Sequence, residues 1–415
     1  MASVFLYHVV GDLTVGKPEM LEFSETETVE SAIRAIGEST ECGIPVWKRR
    51  SHVGMMENNE TRQQRFVGIL TSLDIVSFFA KSQCLEDQDK AMKTQVSDVV
   101  VPNNALLKVV DPGTRLIDAL EMMKHGVRRL LVPKSKVWKG TSKRFSIIYN
   151  GKWLKYIENG SSNDLIVNAN IRSLSASTSP YMRDKFVCLS REDMIRFLIG
   201  CLGALAPLPL SSISSLGAIN LNYNSIQASL PALQVSPKHL GDDPNAVAVV
   251  EMTPDGQHKI LGEISASKLW KCDYLAAGWA LANLSAGQFV MGVEDNVSSL
   301  LFPDTSVDST VEQNNVVSGV GSEKAMKLSE FSVGRSMYRG RSATLTCRSR
   351  SSLAAVMAQM LCHRATHVWV TEDENEDVLV GVVGYADILV AVTKQPVALI
   401  PTTRSITHLA SETQS

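Results

Sequence analysis

Apolar residues recur along this chain with two alternating periods. Val29, Ala32, Ile33 and Ile36 fall at i, i+3, i+4 and i+7, which predicts a helix with one buried face. Thr28 precedes it as a candidate N-cap. The run Gly43-Ile44-Pro45-Val46-Trp47 predicts a strand, the polar residues 48–65 a loop, 66–70 a second strand and 73–80 a second helix. The order returns. Leu116, Ala119, Leu120 and Met123 form the same stripe after Pro112-Gly113-Thr114, followed by strands at 129–132 and 186–190 and a helix from Asp193. Leu353, Val356, Met357 and Met360 repeat it again, with strands at 367–371 and 378–383 and a helix near Tyr385. A further copy is less regular. It has a weakly patterned helix at 226–233, then strands at 246–251 and 259–264 joined by a Pro254-Asp255-Gly256 turn.

Each copy closes on one string, fullest in Gly68-Ile69-Leu70-Thr71-Ser72-Leu73-Asp74. Weaker versions end at Asp193, Lys268 and Asp387, so the chain divides into two halves of two units each. The units span 14–82, 96–204, 214–276 and 286–395, and 396–415 reads as a flexible tail. Unit two carries an insert at about 134–183, whose start Trp138, Tyr149 and Trp153 would anchor, and unit four one at about 293–342. Both are polar and rich in Ser and Asn, the composition of mobile loops. The fold class is therefore α/β: four helix–strand–strand–helix units in two tandem pairs, with long polar inserts.

The spacing has two chemical readings. A strand ending in Thr71 and passing into a helix sets a hydroxyl and a carboxylate on one turn. Free N–H groups at the helix start then favour a phosphate, and the Asp74 carboxylate could accept from a ribose diol. Each such charge-assisted bond contributes about 1.5–3 kcal/mol. Thr-x-x-Asp is equally an N-capping pattern with its carboxylate at the helix dipole. Gly68 would let another chain segment or a ligand approach closely.

Composition narrows the function classes. A length of 415 residues calls for more than one core. A net charge of −2 supplies no global attraction to nucleic acid or anionic membrane. The seven cysteines form no C-x-x-C pair, which suits reduced thiols. The N-terminus lacks the basic region and cleavage site of a signal peptide, so a cytoplasmic location is expected. The apolar run 197–210 contains two prolines and reads as a core helix entering a loop, with no membrane association expected. No nucleophile elbow, P-loop, H-E-x-x-H or post-strand G-x-G-x-x-G occurs, so no enzymatic activity, catalytic residue or metal site is expected. Arg335, Arg339, Arg341, Arg348 and Arg350 crowd near His363, Arg364 and His367 in unit four. They make either a phosphate-binding rim or a solvated loop. No aromatics interleave with them, which argues against nucleic acid.

Helix–strand–strand–helix units closing with Gly-h-h-Thr-x-x-Asp-h, where h is apolar, and used in tandem pairs, resemble cystathionine-β-synthase (CBS) domains. The Ile44-Pro45-Val46 and Arg128-Arg129-Leu130-Leu131-Val132 segments also match that family's middle-strand pattern. The four-unit layout is similar to plant CBS-domain proteins and to the γ subunit of AMP-activated protein kinase. The resemblance implies clefts for an adenosyl ligand such as AMP, ADP, ATP or S-adenosylmethionine, with no cofactor required. It places Thr71 and Asp74 of unit one, and Ser190 and Asp193 of unit two, on ribose and phosphate. Ile44 and Pro45 would flank the base, and Arg128 and Arg129 would meet phosphate. Unit two has Val187-Cys188 where glycine is expected. Unit three replaces the aspartate by Lys268, and unit four keeps Asp387 but loses the hydroxyl. The first pair is thus the expected nucleotide site, and Lys268, Asp387 and Arg364 outline an anion site on the second. A ligand sensor that modulates a partner protein, such as a kinase complex, is the expected function, and a homodimer fits the family. A non-catalytic scaffold that binds no nucleotide is the alternative.

Overall fold

The computed structural model describes residues 4–49, 59–134, 148–149, 152–153, 185–235, 245–292, 343–374 and 377–394. Most of both inserts, residues 396–415, Trp138, Arg335, Arg339 and Arg341 lie outside these ranges.

Each unit builds one three-stranded sheet. Unit one contributes β1 (Phe23–Ser24), β2 (Gly43–Trp47) and β3 (Phe66–Thr71). Unit two contributes β4 (Leu107–Val109) and β5 (Arg129–Pro133), then a short hairpin of β6 (Ile148–Tyr149) and β7 (Lys152–Trp153), then β8 (Phe186–Ser190). Unit three has β9 (Asn224–Gln227), β10 (Ala246–Met252) and β11 (His258–Ser265). Unit four has β12 (Thr346–Arg348), β13 (His367–Thr371) and β14 (Leu379–Gly384). In every sheet the first strand runs parallel to the middle one and the third antiparallel. The short leading strands of two to four residues hold too few positions to show an alternating pattern.

The apolar stripes are the core. Val29, Ala32 and Ile36 are fully buried, and Leu116, Ala119, Leu120 and Met123, with Leu353, Val356, Met357 and Met360, are buried in the same way. Thr28 caps its helix, accepting from the Ser31 N–H at 3.2 Å. Helices Ser72–Phe79, Arg191–Gly200 and Tyr385–Thr393 begin directly after the third strands of units one, two and four. The 197–210 run leaves its helix at Gly200 for two 3₁₀ turns, Leu202–Leu205 and Leu208–Leu210.

Three expectations change. The polar stretch 48–65 contains a helix, Asn59–Arg65. Its buried face is made of arginines: Arg62 lies 3.9 Å over the Phe186 ring, and Arg62 and Arg65 both pair with Glu22. A hydropathy pattern cannot register such a face. The helix expected at 226–233 is instead β9 followed by a 3₁₀ turn, Ala232–Gln234, because Pro231 precludes a continuous helix. The closing helix of unit three stops after Ala266–Leu269 and resumes as Tyr274–Asn283, across the position 276 where the unit was expected to end.

The four units close into a ring. Trp47, Phe66 and Ile69 of unit one pack with Leu107, Leu131 and Phe186 of unit two. Ala248, Val250 and Ile260 of unit three pack with Trp369, Leu379 and Val382 of unit four. These two sheet-to-sheet cores define the pairs. Helices then join the pairs crosswise, unit one to unit three and unit two to unit four. A buried bond from Ser72 Oγ to the Ala266 carbonyl, 2.5 Å, links one to three.

Glycines make the close approaches. A Cβ on Gly68 would stand 2.5 Å from the Val101 carbonyl oxygen, and one on Gly381 2.7 Å from that of Asn220. The glycine of the closing string therefore admits a neighbouring backbone segment. At the crossing of units one and three, a Cβ on Gly278 would stand 2.5 Å from Phe79 Cβ. Gly278→Val is expected to destabilise the protein by about 1–3 kcal/mol through overpacking, read as a lower urea midpoint. An unchanged midpoint would mean that this crossing is loosely packed.

Candidate ligand site at the centre of the ring

The four strand-to-helix turns meet at one point. A central cavity of about 110 Å³ is lined from unit one by Thr40, Glu41, Cys42, Gly43, Ile69 and Thr71, and from unit two by Arg128, Arg129, Ser190, Arg191 and Glu192. Unit three adds Asn245, Ala266 and Trp270, and unit four adds Arg364, Thr366 and Tyr385. Every unit thus supplies the start of its middle strand and the start of its closing helix. The register explains this: Gly43 pairs with Thr71, Arg129 with Ser190, Ala246 with Ser265 and His367 with Gly384. The first residue of each middle strand therefore lies beside a helix N-cap.

Each closing string caps a helix. The Thr71 N–H and hydroxyl donate to Asp74 Oδ2 at 2.8 and 2.7 Å, and Thr71 Oγ1 accepts from the Asp74 N–H at 3.3 Å. Ser190 and Asp193 repeat the arrangement at 2.7, 3.1 and 3.3 Å. In unit three Ser265 accepts from the Lys268 N–H at 3.2 Å. In unit four Asp387 accepts from the Gly384 N–H at 2.8 Å. Burial pushes the Asp74 carboxyl up, against the bonds from Thr71 and the field of Arg128. It also pushes up that of Asp387.

Electrostatically the cavity is cationic with internal counter-charges. Four arginines line it against two glutamates. The Arg129 guanidinium is ion-paired with Glu41, and Glu192 with Arg196. Arg128 donates to Asn245 Oδ1 at 3.3 Å, joining units two and three. Arg191 is buried and donates to the Met123 carbonyl at 2.6 Å and the Val127 carbonyl at 3.2 Å. Arg364 sits in the left-handed region at φ 51° with its guanidinium 5.6 Å over the Trp270 ring. Burial pushes the Cys42 and Cys188 thiols up to about 11, so both stay protonated and unreactive at neutral pH.

The sequence candidates separate into those that share the cavity and those that do not. Thr71, Arg128, Arg129, Ser190 and Arg364 line it together. Asp74 and Asp193 lie one helical turn behind their caps, Ile44 is buried in the β2 core, and Pro45 pairs with Ile69. Lys268 donates to the Ala343 carbonyl at 2.8 Å, and Asp387 stays with its cap. Arg364, assigned to a separate site on the second pair, shares the cavity of the first-pair residues. Arg350 pairs with Asp373 at 2.9 Å. Sequence reading missed Glu41, Asn245 and Trp270. Glu41 precedes a predicted strand and carries the one signal available, a charge one residue before a cysteine-glycine start. Asn245 and Trp270 reach the site only through ring closure. A larger hollow, about 510 Å³, lies along the outer strand β9 and is lined by Ile226, Leu230, Val235, Val247 and His258 among others. Among the described residues it gathers no arginine or carboxylate.

The second pair has a different interior. Glu263 on β11 is buried against β13: Ser265 Oγ donates to it at 2.7 Å, Trp369 Nε1 at 2.5 Å, and His367 Nε2 lies at 3.1 Å. Burial alone would raise this carboxyl. The His367 charge and the bonds from His367 and Ser265 outweigh burial and hold it down at about 2. Among the described residues no group of histidine, cysteine and carboxylate side chains is arranged to hold a metal ion. Likewise none of their helices is long and apolar enough to cross a membrane.

Four three-stranded α/β units, paired sheet to sheet and ringed about their capped helix starts, define a protein of tandem CBS units. The chain belongs to the CBS domain-containing proteins: it is 66% identical to the CBS domain-containing protein CBSX6 of Arabidopsis thaliana over 100% of both chains. It is 27% identical to CBSX5 of the same plant, covering 94% of this chain and 97% of that one. It is 24% identical to the SNF1-related protein kinase regulatory subunit gamma-like PV42b, also of Arabidopsis thaliana, over 92% and 94%. No family model matches the chain.

Proposed function

We propose that this protein is a regulatory module that binds an adenosyl ligand (AMP, ADP, ATP or S-adenosylmethionine) at the centre of its ring and transmits binding to a protein partner. One observation carries the reading: all four units bring a helix start and a middle-strand start to one cavity lined by Arg128, Arg129, Arg191 and Arg364. Guanidinium forks and helix N-termini are the groups that hold phosphate. Because each unit owns part of the wall, a ligand that bridges them changes the relative stability of ring arrangements, which a partner can sense. The kinship with a kinase gamma-like subunit makes a kinase complex the partner class to test first. A cavity of about 110 Å³ is smaller than the 300 Å³ or more of usual ligand pockets, and Glu41 already occupies Arg129. Those two facts favour the second reading, a scaffold that binds no nucleotide.

Thermal melting separates the two. Ligand at about 100 times its dissociation constant stabilises by about 2.7 kcal/mol, a clear upward shift. Asp74→Asn keeps an oxygen for the Thr71 cap and removes the charge. It is expected to lower ligand-free stability by about 1 kcal/mol at most, the weight of a helix cap, and, through the Thr71 turn that lines the cavity, to weaken AMP binding about tenfold or more. No shift with any of the four compounds would leave the scaffold standing.

A further inference from the structure

The segment that leads into β1 reaches into unit two. Phe5, Val10 and Leu13 are buried in the core shared by units two and four. Backbone bonds fasten the segment at both ends: Val10 N–H to the Thr114 carbonyl at 2.9 Å, Gly11 N–H to Pro112 at 2.8 Å, and Met20 N–H to Phe186 at 2.8 Å. Between these anchors Lys17 turns inward. Its ammonium is ion-paired with the Asp193 carboxylate and donates to the Cys188 carbonyl at 3.2 Å, with both charged side chains at least 86% buried. Cys188 and Asp193 stand in unit two where Ile69 and Asp74 stand in unit one, as the matched registers of β8 and β3 require. The two halves of the first pair therefore differ. Among the described residues, Asp74 hydrogen-bonds only with Thr71, within its own cap.

We infer that Lys17 is the residue that decides which half of the first pair takes a ligand: its ammonium plugs the unit-two half-site and leaves unit one as the open half. The inference rests on the ligand reading above for its binding consequence and on geometry alone for the plug. The ammonium sits on Asp193 Oδ2, the oxygen that also accepts from the Ser190 N–H and hydroxyl, so a ribose diol approaching unit two meets a carboxylate already neutralised and held from two sides. Any ligand at unit two has to displace a lysine that is fastened to the core from both sides.

Two measurements on the full chain test it. In the first, wild type, Lys17→Met and Asp193→Asn are treated with limiting acetic anhydride and lysine acylation is read by peptide mass spectrometry. Lys17 is expected to react at least tenfold more slowly than the exposed Lys90 and Lys93, and to approach their rate in Asp193→Asn, which keeps an oxygen for the Ser190 cap. Equal reactivity in wild type overturns the plug whatever the ligand does. In the second, AMP is titrated calorimetrically. Lys17→Met is expected to bind about two AMP per chain where wild type binds one, and Lys17→Met combined with Asp193→Asn to return to one. An unchanged stoichiometry in a wild type that binds AMP overturns the assignment of Lys17. No AMP bound by any variant, with Lys17 still protected, overturns the ligand reading and leaves the plug intact.

Discussion

Replacing His367 with alanine is expected to destabilise the fold by about 3–5 kcal/mol, the cost of stranding a buried charge. Glu263 lies in the sheet-to-sheet core of the second pair, and among the described residues the basic group within bonding distance of it is the His367 ring, at 3.1 Å. Burial opposes the carboxylate, and the His367 charge is the largest effect that opposes burial. Without it, the buried carboxylate keeps the bonds from Ser265 and Trp369 and the more distant Lys268 charge, and loses its largest compensation. Urea denaturation followed by circular dichroism reads the loss. Glu263→Gln keeps the shape and the acceptor for Trp369 and Ser265, so combining it with His367→Ala should recover part of the loss. The double-mutant cycle then isolates the pair. A loss below about 1 kcal/mol would mean that water or a neighbour reaches Glu263. The pH dependence has a defined sign. The folded pKa of Glu263, about 2, lies below the ordinary carboxyl value near 4.3. Its stabilisation is therefore complete above about pH 5 and is lost as pH falls through the window from about 4 to about 2. Acid unfolding of His367→Ala should begin at a higher pH than that of the wild type.

Glu41→Gln is expected to tighten the binding of an anionic adenosyl ligand by about tenfold, close to 1.4 kcal/mol. Glu41 holds the Arg129 guanidinium in the position where a ligand phosphate would compete for it. A neutral amide competes less well, since a charge-assisted bond contributes about twice a neutral one. The same change is expected to lower ligand-free stability, because Arg129 is largely buried and loses its counter-charge. Titration of AMP into both proteins, with urea melts of both, checks the two effects together. Tighter binding with lower stability is the signature of an internal competitor. Weaker binding would show that Glu41 contacts the ligand directly, and no binding in either protein returns the cavity to the scaffold reading.

The units were legible because their helices carry their apolar residues on one face. Val29, Ala32 and Ile36 announce a helix, and they are buried because that face packs on a sheet. The closing string was legible for a local reason too: Thr71 and Asp74 need only each other to cap a helix, so their spacing survives as a repeat. Elements whose buried faces are polar or whose lengths are short were not legible. The Asn59–Arg65 helix buries arginines, and β9 is a four-residue edge strand where a helix was expected. The functional reading was only half visible. The string marks where a carboxylate stands and says nothing about what faces it. In the fold Asp193 faces Lys17 and Arg129 faces Glu41, partners 176 and 88 residues away in sequence.

By itself, then, the sequence determined four repeated α/β units and the chemistry at each closing turn, because caps, stripes and strands are set by residues within about ten positions of one another. Only the tertiary structure decided that the four turns share one centre, that Arg364 of unit four joins Arg128 and Arg129 of unit two, and that the second pair is filled by Glu263, His367 and Trp369. Those outcomes depend on packing between sheets and helices of different units. Such packing is fixed by shape and by the matching of buried charges across the ring, which no local spacing encodes.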